Sequence, residues 1–259
     1  MDMSAGPLVK TAVEFGVPTV CLNDPGRRNA LGTAMFDALD RAIAALGSGS
    51  VDGDPAVVLL RGAGAGFCAG FDLAEAVEDP TRMAAFIRRL SHLNRSIRRL
   101  PHVVVAAVQG AALAGGCALL SACDFVVVEP DALLGYPVHR IGVSPAVTLP
   151  LLRQAVGEGP ARTLVLSGEL VDGRTAHRLR LASHLAPSRD QLDAVATQLC
   201  RELLGKGPHA LRATKAWLNE LDGSLDDAPF DATADASAAL ADGEEAVRML
   251  RAFWSPRKG

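Results

Sequence analysis

The parts of this 259-residue chain best suited to chemistry are two glycine-rich segments, Gly62-Ala-Gly-Ala-Gly-Phe-Cys-Ala-Gly-Phe-Asp-Leu73 and Gln109-Gly-Ala-Ala-Leu-Ala-Gly-Gly-Cys-Ala118. Small residues leave backbone N–H groups bare, so that a ligand can approach them. Each segment follows an apolar run that reads as a buried strand, Ala56 to Leu60 and Val103 to Val108. Two such turns side by side make an oxyanion hole, in which paired main-chain donors stabilise negative charge growing on a carbonyl oxygen.

Nucleotide binding fits these glycines poorly. Gly64-Ala-Gly-Phe-Cys-Ala69 has the letters of a dinucleotide-binding turn after a strand. That fold needs a second strand ending in an acid about twenty residues on, and here that distance falls inside an arginine-rich helix. A phosphate-cradling P-loop fails because no Gly-Lys-Ser/Thr follows. The five cysteines, Cys21, Cys68, Cys117, Cys123 and Cys200, are scattered and without C-x-x-C spacing, so neither a disulfide framework nor a metal site is expected.

The elements that must position the turns alternate between strand and helix, which predicts an α/β architecture. Leu8 to Phe15 and Pro18 to Leu22 read as a hairpin turning at Gly16. Thr33 to Leu46, with Met35, Leu39, Ala42 and Leu46 on one face, reads as an amphipathic helix ended by Gly47. Thr81 to Leu100 is a second helix, stopped by Pro101 and carrying Arg82, Arg88, Arg89, Arg95, Arg98 and Arg99. Those arginines suit a solvated face or a phosphorylated ligand. Cys123 to Val128 reads as another buried strand, and helices are expected over Gln191 to Leu204, His209 to Leu221 and Ala232 to Phe253. A boundary at Gly205-Lys-Gly-Pro208 divides residues 1–204 from a helical region, 205–259.

With 26 basic against 29 acidic residues, the net charge of −3 gives no general attraction to nucleic acid or anionic membrane. No segment is long and apolar enough to span a bilayer, and Met1-Asp-Met-Ser-Ala-Gly-Pro7 lacks a leader's basic and apolar regions. The cytoplasm is the expected location, with buried free thiols.

Five fragments in series carry a family resemblance: Leu22-Asn-Asp-Pro-Gly-Arg-Arg-Asn-Ala-Leu31, Gly66 to Leu73, Pro101 to Cys117, Cys123-Asp124, and Gly135-Tyr-Pro137 through Ile141-Gly142. In this order and spacing the chain resembles the crotonase (enoyl-CoA hydratase/isomerase) superfamily over nearly its whole length. The resemblance implies a spiral of ββα units carrying an acyl-CoA site, then a helical C-terminal region that builds homotrimers, often paired into hexamers. It implies fatty acid metabolism or related acyl-CoA chemistry, with CoA as part of the substrate and no separate cofactor or metal.

In that family the thioester oxygen lies between two backbone N–H groups, which map to Phe71 and Gly115. Gly70 and Gly116 allow the close approach. Ala69, Leu73 and backbone near Phe71 and Asp72 would line the adenine pocket, beside Ala30. Arg27 and Arg28 would approach the CoA phosphates, although the family's Asn-Arg-Pro stands here as Asn23-Asp24-Pro25. Phe253, Arg257 and Lys258 would cover the CoA.

The acid/base positions depart from the pattern. The two glutamates of family hydratases fall at Ala118 and, directly after Pro137, at Val138; a third place, used for an acid by some isomerases and dehalogenases, is Ala146. None of the three can move a proton. His139 adjoins the second position and has a side chain suited to proton transfer, but an extended segment would turn it away from a pocket-facing Val138. Cys117 is a nucleophile or an inert thiol. His92, Glu75 and Glu78 could reach the acyl group, Tyr136 could donate to it, and Asp72 and Asp124 are expected to cap helices or brace loops. The functions that remain are a lyase or isomerase that uses the oxyanion hole without the usual glutamates, a non-catalytic acyl-CoA or acyl-carrier binder, or an assembly subunit.

Overall fold

The computed structural model describes residues 6–14, 16–48 and 55–254. In chain order they form β1 (Val9–Glu14), β2 (Val17–Leu22), α1 (Thr33–Gly47), β3 (Val57–Gly62), α2 (Leu73–Glu78), α3 (Thr81–Arg98), β4 (Val103–Val108), β5 (Ala111–Leu113), α4 (Gly115–Ala122), β6 (Phe125–Val128) and β7 (Leu133–Gly135). There follow 3-10 turns at Pro137–Ile141 and Pro145–Thr148, then α5 (Leu149–Val156), α6 (Glu158–Ser167), β8 (Leu170–Asp172), α7 (Gly173–Arg178), β9 (His184–Leu185), α8 (Arg189–Leu204), α9 (Pro208–Leu221), α10 (Ala228–Ala241) and α11 (Glu244–Trp254).

The inner strands β3, β4 and β6 are almost wholly apolar because both faces are covered, whereas β1 at the edge is mostly exposed and carries Lys10, Thr11 and Glu14. Six strands lie in the order β1-β2-β3-β4-β6-β9, all neighbours parallel except the β1–β2 hairpin. Val57 and Leu59 of β3 and Val103, Val105 and Ala107 of β4 face Leu192, Ala196, Cys200 and Leu203 of α8. The alternate residues Val58, Leu60, Val104, Ala106 and Val108 face the larger core, built with α1, α3 and α4. A second, three-stranded sheet, β5-β7-β8, stands beside the first. The chain thus winds as a spiral: β4 and β6 enter the large sheet, and β5 and β7 directly after them enter the small one.

The hairpin, α1 and α3 lie where the sequence places them, with Phe15 outside the described residues. The expected helix over Ala232 to Phe253 is two helices, α10 and α11. The first ends at Ala241, capped by Asp242, and Gly243 turns the chain back with its amide on the Leu240 carbonyl, 3.1 Å. The strands β8 and β9, two or three residues long, have no counterpart among the elements expected from sequence; such lengths are too short to show a period of two. The helices beyond Gly205–Gly207 share the main core through Phe230, Ala234, Ala238, Ala241 and Leu250.

The arginines of α3 go to this chain's own acids. Arg82 pairs with Glu75 and Asp79, Arg88 with Asp235, Arg89 with Asp37 and Asp40, Arg95 with Asp227 and Asp231, Arg98 with Asp222, and Arg99 with Asp227. Arg95 and Arg99 also lie over the Phe230 ring. The basic helix is therefore a charged seam that docks α1 and α10, and the phosphorylated-ligand option lapses.

Candidate active site

A short parallel bridge between Leu31 and Phe71 fixes the first glycine turn. Leu31 donates its amide to the Gly70 carbonyl at 2.8 Å and accepts from the Asp72 amide at 3.2 Å. In such a bridge the intervening residue's own amide turns to the other side. The Phe71 N–H accordingly has no protein acceptor among the described residues. Gly70 sits there at φ +92°, where a side chain would be strained, and a Cβ on it would stand 2.9 Å from the Leu113 carbonyl and 3.5 Å from the Gly115 nitrogen. The two turns therefore pass within contact of each other.

The second turn ends at the N-terminus of α4, a helix buried at all of its residues. Its N-cap, Ala114, makes no side-chain cap and holds φ +48°, ψ −112°, outside the regions open to most side chains. Its own amide is tied to the Gly135 carbonyl at 2.8 Å. The Gly115 amide, like that of Phe71, has no protein acceptor among the described residues. A methyl on Gly116 would run into the Cys68 carbonyl, so glycine is what lets the helix start so close to the first turn.

Phe71 is large for a residue in a glycine-rich turn. Its ring packs with Phe36 and Phe86 at centroid distances of 6.2 and 5.7 Å, and a Cβ on Gly115 would lie 3.2 Å from it. The ring thus roots the turn in the core between α1 and α3.

The places to which the resemblance assigns acid/base groups are apolar in the structure as well as in sequence. Ala118, one turn into α4, is completely buried; Val138 and Ala146 are half-buried in the two 3-10 turns that follow β7. Pro137 opens the first of these turns. The segment at 138–139 is a turn, contrary to the extended geometry considered from sequence, and His139 is exposed with Nδ1 3.9 Å from the position of a Cβ on Gly168.

Several other candidates are committed elsewhere. Burial pushes the Cys117 thiol up to about 11, so it stays protonated and inert near neutrality. Tyr136 is fully buried, its phenol pushed far above the ordinary range by burial, next to Cys117, Ser121 and Thr148. Glu75 accepts from the Thr33 amide at 3.2 Å and hydroxyl at 2.7 Å, capping α1 in place of Gly32, and from Arg82 at 2.9 Å. Burial alone would raise its pKa, but these bonds outweigh it and hold the carboxyl below its ordinary value. Asp72 caps α2 through the Ala74 amide at 3.0 Å and pairs with Arg27 at 3.2 Å. Asp124 braces rather than caps, accepting from the Val104 amide at 2.8 Å and Lys215 at 2.7 Å. His92 lies on the exposed side of α3, in a cleft of about 590 Å³ with Asp40, Arg95, Arg99 and Asp227, and Glu78 is exposed at the end of α2.

Of the residues that the resemblance assigns to CoA, Ala69 donates its amide to the Arg28 carbonyl at 3.0 Å, and Ala30 donates to the Arg27 carbonyl at 3.2 Å. Leu73 opens α2, half-buried. Arg28 is exposed and makes no side-chain bond among the described residues, whereas Arg27 is held by Asp72. Phe253 is exposed at the end of α11, and Arg257 and Lys258 lie outside the described residues.

Asn29 was quoted in the sequence motif without a role, and it organises this loop. Fully buried at φ +56°, it donates to the carbonyls of Ala63, Gly66 and Phe67 at 3.0 Å and accepts from the Asp24 amide at 2.9 Å. Its three donated bonds reach backbone 34–38 residues on, which local pattern does not reveal.

The model of the enoyl-CoA hydratase/isomerase family matches residues 13–244, and the chain belongs to that family, in the crotonase superfamily. It is 38% identical over 255 residues to a Thermus thermophilus protein that carries the enoyl-CoA hydratase name, spanning 95% of this chain and 97% of that one. It is 30% identical over 211 residues to the mitochondrial methylglutaconyl-CoA hydratase of Mus musculus, covering 79% of this chain and 66% of that protein. The crystal structure of an enoyl-CoA hydratase/isomerase from Xanthobacter autotrophicus Py2 superposes with a TM-score of 0.83 at 27% identity, over 94% of this chain and 91% of the other.

Proposed function

We propose that the chain binds an acyl-CoA thioester with its carbonyl oxygen between the Phe71 and Gly115 amides, and stabilises the enolate formed there. The observation that carries this reading is the pairing of two unsatisfied amides, one of them at the uncapped N-terminus of a wholly buried helix. Backbone donors buried without partners are rare unless a ligand supplies the acceptor. The positive end of α4 adds to the stabilisation. One such donor is worth about 3–4 kcal/mol of transition-state stabilisation in related sites.

The reaction favoured is of lyase or isomerase type, in which this polarisation does most of the work. Decarboxylation of a carboxyacyl-CoA is an example: the bond to the carboxylate carbon breaks, carbon dioxide leaves, and the electron pair enters the enolate held by the hole. No cofactor beyond the substrate's own CoA is needed. Arg28 is a cation available to a CoA phosphate, near Ala30, Ala69, Gly70, Asp72 and Leu73, while Pro137, Val138 and Ala146 would line the acyl end, with Ala118 buried behind it.

The names of the relatives suggest hydration, which needs a base for water and an acid for the α-carbon. With Ala118 and Val138 in those places, each missing group costs about 10²–10⁴-fold in rate. Crotonyl-CoA hydration should therefore be at trace level. The burial of Ala118 also favours a second reading, a non-catalytic acyl-CoA or acyl-carrier binder, since that part of the site is packed shut. Titration calorimetry with a panel of acyl-CoA esters, with products followed by mass spectrometry, separates the two: binding with turnover supports an enzyme, and binding alone supports the binder. Absence of binding, or hydration at an ordinary hydratase rate, would contradict the account.

A homotrimer or hexamer is part of the proposal. It is supported by α9, which buries Lys215 and Asn219 against the spiral and turns Trp217, Leu218 and Leu221 outward at 67%, 57% and 80% exposure. Large apolar side chains on the outside of a helix whose inner face is polar suit a subunit contact. A reducing compartment, the cytoplasm, suits the five free thiols.

A further inference from the structure

We propose that Glu129 and Arg189 are positioning residues that hold the two glycine turns in register, so that the Phe71 and Gly115 amides converge on one oxygen. The inference rests on the oxyanion reading and adds the device that sets its geometry.

Glu129 follows β6 and is buried, its side chain only 6% exposed. Its Oε1 accepts from the Gly110 amide, at the start of the second turn, at 2.5 Å. The same oxygen accepts from Arg189 Nη1 at 3.3 Å. Arg189, the first residue of α8, spreads its guanidinium over the first turn, donating from Nη1 to the Ala65 carbonyl and from Nη2 to the Gly64 carbonyl, each at 3.3 Å. A continuous path therefore runs from the second turn through Glu129 and Arg189 to the first. Gln109 makes a parallel link, with Nε2 on the Gly62 carbonyl at 2.6 Å.

From this clamp a backbone ladder leads toward the site: Phe67 donates to Gln109, Cys68 to Ala111, and Leu113 to Cys68, at 2.9, 3.0 and 3.0 Å. Phe71 and Gly115 lie at the far end. A slip at the clamped end would be carried along the ladder to the amides.

Holding the fold together is a weak explanation for such a pair. Burying a carboxylate costs more than its ion pair returns in most settings. Here Oε2 is buried with no partner among the described residues, which adds to the cost. The backbone ladder already joins the turns. What the pair supplies beyond the ladder is a fixed orientation, because a planar guanidinium reaches two carbonyls and a carboxylate at once in a way that an ammonium cannot.

The test measures polarisation of the bound carbonyl. Butyryl-CoA labelled with ¹³C at the thioester carbon is bound to the full chain, and its carbonyl stretch is read by isotope-edited infrared difference spectroscopy. Wild-type protein is expected to shift the band to lower frequency. Arg189→Met, on a half-exposed side chain, should lose most of that shift while its melting temperature and butyryl-CoA affinity stay near wild type. Arg189→Lys should recover part of the shift, and Glu129→Gln, if it folds, should behave like Arg189→Met. A full shift in Arg189→Met overturns the clamp alone, since wild-type polarisation would then stand without it. No binding or no shift in the wild-type protein overturns the oxyanion reading, and the clamp's role falls with it.

Discussion

Ala114 holds a conformation, φ +48° and ψ −112°, that only glycine adopts without cost. Its neighbour Gly115 supplies one of the two unpaired amides, so the strain lies where the ligand is proposed to bind. Strain of this kind costs about 1–3 kcal/mol, of which glycine's extra unfolded-state entropy would cancel up to about 1 kcal/mol. Ala114→Gly is therefore expected to leave the melting temperature unchanged or raise it. A loss of stability on thermal or denaturant unfolding would show that the strain is illusory. The two glycine turns were legible in the sequence because glycine-rich segments after apolar strands are local features; within them Phe71 and Gly115 were singled out only by the family resemblance. Asn29, Glu129 and Arg189 were not, because their partners lie far along the chain: 34–38 residues away for the Asn29 side-chain donors, and 124–125 for the Arg189 bonds to the first turn.

The elements around the site differ in how much change they tolerate. Ala118 sits in α4, buried on every side, whereas Val138 lies half-buried in a turn. Ala118→Glu should cost roughly 2–4 kcal/mol through overpacking and a buried carboxyl, while Val138→Glu should cost less than about 1 kcal/mol. Denaturant unfolding of the two variants checks this. Equal costs would mean that the α4 position has room for a catalytic acid after all. From sequence both positions read simply as lacking an acid; only packing separates a closed place from an open one.

The seam between α3 and α10 has its own signature. Hydrogen bonds from Arg99 and Arg95 hold the Asp227 carboxyl below its ordinary value. For Asp222, burial raises the pKa, but bonds from Ser224 and Arg98 outweigh it and the net shift is downward. A carboxylate with a lowered folded pKa adds stability above its unfolded value, about 3.9, and loses it as pH falls through the folded value. Protection factors in α10, taken relative to intrinsic exchange at each pH, should therefore fall below about pH 4, before those of the large sheet. Protection in α10 that stays constant over that range would contradict the seam. The helix was plain in the sequence, but its six arginines were not assignable, because their acidic partners come from α1, α2, α10 and the segment after α9.

At the scale of the whole molecule, the order of strands and helices was readable because the inner strands of the large sheet, β3, β4 and β6, are near-continuous apolar runs covered on both faces. The small sheet was not, since β5, β7 and β8 have three residues each. The family follows from motifs in series, and the reaction does not, because one fold of this kind carries many chemistries. The outward face of α9 bears on assembly. Light scattering should give a trimer or hexamer, and Trp217→Asp with Leu221→Asp should yield smaller, folded species; a monomeric wild-type protein would contradict that use of the face.

The central claim is that the Phe71 and Gly115 amides grip a thioester oxygen in a pocket whose usual acid positions are apolar. A crystal structure with butyryl-CoA tests it most directly. The account predicts the carbonyl oxygen about 2.7–3.1 Å from both nitrogens, with the isopropyl group of Val138 beside the acyl chain. A carbonyl bound away from those amides, or a carboxylate from elsewhere in the chain reaching the acyl carbons, would contradict it.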